Sequence, residues 1–333
     1  MAASTGRGSL HLRAHAKVNL GLEVLGTRGD GYHELRTLFQ TISIHDDIVL
    51  RPHKSEVTIR CDHPAVPTDE TNLAVRAARD LRRFARVAQG VAITLTKRIP
   101  VAGGLGGGSS NAAAVLMGLD RLWRLGLGPA GLHPLARRLG ADVPYFLLGG
   151  TALGLGRGDE VYPLWRQLRA EVVVVDPERP LSTAAVFRRL DASLTARDGT
   201  NRIFRFISSD LAGHGTAFPI LSNDLERPAL EEAPDLAARV DLIRGILIRE
   251  GALMASLSGS GASYFGLFDD PSRARKAQLR LVARGLKAWR GRTLSLDQYR
   301  RLWAPPARGR ARGLGQGRSG QHGDHRRQGH PGR

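Results

Sequence analysis

Residues 100–114, P-V-A-G-G-L-G-G-G-S-S-N-A-A-A, restrict the fold more than any other stretch of this 333-residue chain. Five of residues 103–108 are glycine, and only Leu105 carries a side chain. Glycine loses more backbone freedom on ordering than any other residue and packs nothing, so the first half of the segment is neither a stable strand nor a stable helix. A loop without Cβ atoms can instead turn its N–H groups inward around an anion. The helix expected over residues 109–116 adds the partial positive charge of its N-terminus. Many glycine-rich runs are only linkers. Here a strand-like segment, residues 91–96, precedes the run, and apolar residues at helical spacing follow over 112–125. Strand, glycine loop and helix in that order are the context for phosphate binding. No lysine follows in the G-x-x-x-x-G-K-[ST] spacing, and the run does not fit G-x-G-x-x-G, so it is neither a Walker loop nor a dinucleotide fingerprint. Gly315, Gly317 and Gly320 do fit the latter, but in a polar tail with no strand before them.

The length allows one large or two moderate domains with a real core. Cys61 is the single cysteine, which excludes an intrachain disulfide and fits a reducing, cytoplasmic setting. No run of eighteen apolar residues occurs, and no apolar core follows the first basic residues, so neither a membrane span nor an export signal is expected. A net charge of +18 raises the question of a polyanionic partner. The charge is uneven, however: from Ala304 onward seven arginines face one acid, Asp324, a net of +6 in the tail alone. Basic composition therefore suits an anionic small substrate as well as a polynucleotide.

Along the chain, residues 1–8 read as disordered and 10–25 alternate as a strand that contains Lys17, either an ordinary exposed lysine or a functional one. A turn over 27–31 leads into G-D-G-Y-H-E-L, where Tyr32 and His33 can cover a flat ligand and bond its edge, or Tyr32 can be a half-buried strand residue. Residues 38–50 read as a strand with an acidic turn at 45–47, in which Asp46 and Asp47 are a solvated hairpin end. Residues 72–87 form a helix with Leu73, Ala77, Leu81 and Phe84 on one face. After a short helix over 132–139, Asp142 stands in A-D-V-P-Y-F, where Pro144 disfavours helix for Val143; it is a cap or a functional group. A strand at 171–176 opens a second domain, helices follow over 182–190 and 236–250, and S-L-S-G-S-G-A-S-Y-F-G-L-F is a small-residue turn feeding a strand. Residues 271–286 form a basic amphipathic helix. Residues 304–333 change to Gly, Arg, Gln, His and Pro and read as a disordered tail.

H-A-K-V-N-L with D-G-Y-H, then P-V-A-G-G-L-G-G-G-S-S-N-A-A-A, then S-G-S-G-A near residue 260, resemble the three motifs of the GHMP small-molecule kinases, across residues 14–268. The resemblance implies an α/β (α+β) fold of two domains: residues 9–165, an α/β domain with a left-handed crossover and the ATP loop, and residues 166–303, a ferredoxin-like domain. With G-A-D-V-P-Y-F included, it implies ATP- and Mg²⁺-dependent phosphorylation of the 2-hydroxyl of 4-(cytidine 5'-diphospho)-2-C-methyl-D-erythritol, in non-mevalonate isoprenoid biosynthesis. Carried over by position, Asp142 resembles the catalytic base and Lys17 its cationic partner. The ATP phosphate loop is Pro100, Val101, Ala102, Gly103, Gly104, Leu105, Gly106, Gly107, Gly108, Ser109 and Ser110. Asn72 and Lys97 match positions near the adenine. Tyr32, His33 and Phe187 match a cytosine clamp, and Asn19 and Thr183 further substrate contacts. No metal-ligand set is evident; Ser110 is the one residue singled out as a metal contact.

Those roles fit phosphoryl transfer, which depends mainly on positioning and charge neutralisation. An alcohol must still lose a proton, and a carboxylate kept ionised by a lysine can take it. His15 stands where the family usually has proline. A monomer or homodimer acting on a small molecule, without membrane or nucleic acid, is the expected state. The rival within the family is a kinase of homoserine, mevalonate or a sugar, against which D-G-Y-H argues. A rival of another class, an RNA-associated basic protein, predicts salt-dependent RNA affinity lost on truncation at Ala304. Aromatics at 5% with no basic-aromatic ladder argue against it.

Overall fold

A computed structural model describes residues 8–164, 168–193, 201–211 and 221–303. The expected disordered tail at 304–333, most of the expected disordered start, and parts of 197–218 lie outside the described residues.

Two long strands, β1 (Leu10–Thr27) and β2 (His33–His53), form an antiparallel hairpin. There follow β3 (Val57–Cys61), α1 (Leu73–Phe84), β4 (Gly90–Thr96), α2 (Gly107–Leu122), α3 (Gly128–Leu139), α4 (Val143–Leu148), β5 (Thr151–Leu155) and β6 (Glu160–Pro163). These strands make one sheet in the order β3-β4-β2-β5-β6, with β1 on the other edge of β2 and α1 crossing between the parallel pair β3 and β4. The second half contains β7 (Glu171–Asp176), α5 (Thr183–Ser193), α6 (Arg202–Leu211), α7 (Glu226–Glu232), α8 (Ala237–Arg249), β8 (Met254–Leu257), β9 (Tyr264–Phe268), α9 (Pro271–Val282), β10 (Lys287–Arg292) and α10 (Leu296–Trp303). Its antiparallel sheet has the order β10-β7-β9-β8. Helices after β7 and after β9 complete a split βαβ pattern, the ferredoxin-like arrangement. The two-sheet α/β architecture expected from the sequence is the one observed.

One strand threads three cores. Alternation, reset by β-bulges between His15 and Lys17, Asn19 and Gly21, and Val24 and Gly26, buries the even residues of β1 in a succession of cores. Leu10, Leu12 and Ala14 join the core under α1 to α4. Ala16, Val18 and Leu20 pack against Val172, Val174, Phe265 and Leu267, between the two sheets. Leu22 and Val24 reach the core beneath α7, α8 and α9. Lys17 and Asn19 alternate locally with Ala16 and Val18 and so face away from the core between the sheets. Tyr299 of α10 returns to the first core, where its hydroxyl donates to the Phe146 carbonyl at 2.6 Å.

Three local expectations are corrected. There is no acidic turn at 45–47: β2 runs unbroken through it, and Asp46 is fully buried, because three donors from residues 97–99 saturate its carboxylate. Pro144 does not keep Val143 out of a helix, since α4 begins at Val143 and proline is tolerated in a first turn whose N–H groups have no intrahelical acceptor. The helix after the glycine run starts at Gly107, two residues before Ser109.

Candidate active site

The inward face of β1 brings together the first polar pair. Lys17 is 3% exposed, and its ammonium donates to Asn19 Oδ1 at 2.6 Å, lies 3.4 Å from Asp142 Oδ2 and sits 5.6 Å from the centre of the Phe39 ring. Asn19 is held in turn, its amide donating to Thr37 Oγ1 at 2.8 Å while that hydroxyl donates to the Gly21 carbonyl. Asp142 precedes α4 but makes no capping bond. Of the two readings of this residue, the cap is thus excluded. Lys17 and Asp142, 125 positions apart, meet as a half-buried ion pair. A separation of 3.4 Å is looser than the 2.7–2.9 Å of a tight charge-assisted bond, which leaves the carboxylate free to accept another proton donor.

The glycine loop is oriented by its carbonyls. Those of Gly103, Gly104 and Leu105 accept from Ser263 N (3.2 Å), Ser258 Oγ (3.0 Å) and Lys17 N (3.0 Å). A trans peptide sets the next N–H opposite each carbonyl, so the amides of Gly104, Leu105 and Gly106 point away from those partners. Gly104 and Gly106 have φ of 72° and 69°. A Cβ on Gly104 would collide with the Ser258 carbonyl oxygen, and one on Gly106 would press on Phe146 and Lys17. The glycines are thus required by the close approach of residues 258–261 and of Phe146 and Lys17. Gly106 at the start of α2 leaves that N-terminus with no side-chain cap.

Two clefts meet at this loop. One, of about 720 Å³, holds Lys17, Asn19, Tyr32, His33, Asp142, Thr183 and Phe187. The other, of about 380 Å³, holds Asn72, Lys97 and the loop from Pro100 to Ser109. Gly104, Gly106 and Ser109 border both. Ser110 is the exception to the expected loop set. It is 1% exposed, and its hydroxyl donates to the His15 carbonyl at 2.6 Å, so it is turned from the cleft and from any metal there. Asn72 caps α1 by accepting from Ala74 N at 2.9 Å, and its amide donates to the Pro67 carbonyl.

The far wall of the larger cleft differs in detail from a clamp of Tyr32 and Phe187. His33 stacks on Phe187 at 4.5 Å and 24°, with Nε2 2.7 Å from Asp191 Oδ1. Tyr32 is 54% exposed, and the Arg157 guanidinium lies 4.8 Å from its ring centre. Thr183 Oγ1 and Ser260 Oγ are 2.8 Å apart. Burial opposes the Asp159 charge, but bonds from Arg157 and Arg137 hold its pKa below the ordinary carboxylate value, so Asp159 is a fixed anion that orients Arg157. Arg157, Asp191 and Phe39 were not found from sequence, since nothing in their local pattern sets them apart. Among the described residues no group of three His, Cys, Asp or Glu could hold a metal.

With this geometry in place, comparison with known proteins is decisive. Residues 72–150 match the GHMP kinases N terminal domain and residues 214–287 the GHMP kinases C terminal domain. The chain is 41% identical over 273 residues to the 4-diphosphocytidyl-2-C-methyl-D-erythritol kinase of Chlorobium luteolum, covering 81% of this chain and 92% of the relative. It belongs to the 4-diphosphocytidyl-2-C-methyl-D-erythritol kinase family. The Solibacter usitatus member is 42% identical over 299 residues, covering 88% of this chain and 91% of its own. A crystal structure of a 4-(cytidine 5'-diphospho)-2C-methyl-D-erythritol kinase superimposes with a TM-score of 0.70 at 38% identity, over 85% of this chain and 98% of that one. As a member of this kinase family the chain is an ATP-using phosphotransferase of isoprenoid biosynthesis. No helix among the described residues is long and apolar enough to cross a membrane.

Proposed function

We propose that the chain transfers the γ-phosphoryl group of ATP to the 2-hydroxyl of 4-(cytidine 5'-diphospho)-2-C-methyl-D-erythritol, releasing the 2-phosphate and ADP. The observation that carries this reading is the Lys17–Asp142 pair beside Gly104, Gly106 and Ser109, where the two clefts join. The nucleotide occupies the smaller cleft, its phosphates on the amides of residues 104–106 and the α2 N-terminus, with Asn72 and Lys97 alongside. The alcohol occupies the larger one. Its oxygen forms a bond to the γ-phosphorus as the bond to the β–γ bridging oxygen breaks, and that electron pair leaves with ADP. The hydroxyl proton passes to Asp142. Lys17 keeps the carboxylate ionised and faces the charge that gathers on the transferring group.

Mg²⁺ would fit this seam as an ion carried on the phosphates, with Asp142 and the Ser109 hydroxyl as oxygen-bearing side chains lining it and, among the described residues, no separate acidic cluster to hold it. When bound, it neutralises charge on the β- and γ-phosphates. The apolar and aromatic wall of Tyr32, Phe187 and His33 supplies the face for a pyrimidine, with Asn19 and Thr183 toward the rest of the acceptor.

The test is ADP release measured across acceptors: the cytidine diphosphate methylerythritol alcohol, homoserine, mevalonate and a hexose. Turnover with the first is expected to exceed the others by at least about 10³ in kcat/KM, the scale of a site built to hydrogen-bond its own substrate. Comparable turnover of mevalonate or homoserine would replace this acceptor.

A further inference from the structure

Asp46 belongs to neither cleft, yet it is buried and bonded on both oxygens beside the smaller one. It is fully buried in β2, Oδ1 accepts from the N–H groups of Arg98 and Ile99 at 2.8 and 2.9 Å, and Oδ2 pairs with the Lys97 ammonium. The backbone of Lys97 is held from the other side by Asp62 at the end of β3, whose Oδ1 accepts its N–H at 2.9 Å. Residues 97–99 are thus clamped immediately before the chain enters the glycine loop at Pro100.

Two amide bonds alone would explain a buried asparagine here. The charge needs a further account, because an ionised carboxylate is buried only where it is paired and hydrogen-bonded. Its partner is placed against an unfavourable field. Lys97 Nζ borders the smaller cleft close to Gly107, where a Cβ would lie 3.2 Å from it, and Gly107 opens α2. A helix N-terminus repels a cation. Asp46 offsets that repulsion and leaves Lys97 with donors for a ligand at the point where the loop amides and the helix N-terminus converge.

We infer that Asp46 is a positioning residue for the nucleotide: it holds Lys97 at the floor of the smaller cleft and fixes the backbone that delivers the phosphate loop. It therefore sets nucleotide affinity, not the chemical step. The inference rests on the proposed nucleotide cleft, and its test separates the two.

Binding of Mg·ADP to the full chain is measured by calorimetry, beside steady-state kinetics in both substrates. Asp46→Asn keeps the shape and an acceptor for both amides but removes the charge. It is expected to weaken Mg·ADP binding and raise the ATP KM about tenfold, the scale of one charge-assisted bond, with kcat and the acceptor KM within about twofold. Lys97→Met is expected to do the same, and the double variant to be no worse than either single one, since the two side chains act as a unit. Wild-type nucleotide affinity in Asp46→Asn, additive effects in the double variant, or a fall in kcat that tracks lost thermal stability would each overturn the inference. Should Asp46→Asn not fold, Lys97→Met with unchanged Mg·ADP affinity overturns it as well. If the unaltered chain binds no Mg·ADP, the nucleotide cleft itself is wrong and the inference falls with it.

Discussion

Lys17 shows how little a single residue's neighbours in sequence reveal about it. Between Ala16 and Val18 it reads as an ordinary strand lysine, and only the fold shows its burial beside Asn19 and Asp142, on which the proposed role rests. At this scale Asp142→Asn is expected to lower kcat by at least about a hundredfold, the usual range for a lost general base being about 10² to 10⁴, with Mg·ADP affinity near normal. Unchanged turnover would remove Asp142 from the mechanism. Tyr32→Ala is expected to raise mainly the KM for the cytidine-bearing acceptor; an increase confined to ATP would reassign the residue. The motifs containing Lys17, Tyr32 and Asp142 were legible from a family resemblance. Asp46, Arg157 and Asp191 were not, since what each faces across the fold, Lys97, Tyr32 and His33, is distant in sequence and none stands in a recognisable pattern.

Among the elements, α2 and the loop before it were the most legible, because a glycine run has few uses in a folded chain. Its glycines are not equivalent. Gly104 has a left-handed φ and faces the Ser258 carbonyl, whereas Gly108 lies inside α2 with only Leu73 Cδ1 near, 3.6 Å from where its Cβ would be. Gly104→Ala is therefore expected to lose about 1–3 kcal/mol of stability, with weakened nucleotide binding. Gly108→Ala should gain about 0.5–1 kcal/mol through helix propensity. Chemical denaturation of the two variants checks the contrast; equal effects would mean that the loop is not held by residues 258–261. The acidic turn was misread for a physical reason. Adjacent aspartates are usually solvated, and the N–H groups that bury Asp46 come from another element.

Across the whole molecule, β1 joins three cores, and His15 lies where the first meets α10. Its ring is buried 5.1 Å from His45 and 6.2 Å from Tyr299, and neither nitrogen has a well-formed hydrogen bond among the described residues. Burial first, then His45 and Arg13, lower its pKa to about 3, while the backbone of Ile42 and Ser43 offsets this only in part. The folded chain therefore keeps His15 neutral where the unfolded chain binds a proton. Its contribution to stability is present above about pH 6.5 and is lost as pH falls toward 3, at up to about 1.4 kcal/mol per pH unit. Between pH 6.5 and 5 the loss is expected to be about 2 kcal/mol, and His15→Leu should flatten it. Denaturation at both pH values checks this, and equal slopes in the two proteins would remove His15 as the cause.

The sequence by itself determined most of the alternating and helical segments and the glycine loop between a strand and a helix, because periodicity and glycine content act locally and leave few alternatives, while the two-domain α/β class came from the family resemblance. Only the tertiary structure decided that Lys17 meets Asp142, that Asp46 is buried and paired, that Ser110 turns inward, and that His33 stacks on Phe187. Those outcomes depend on which distant backbone groups approach each side chain, and burial and charge pairing are properties of that approach, not of the local chain.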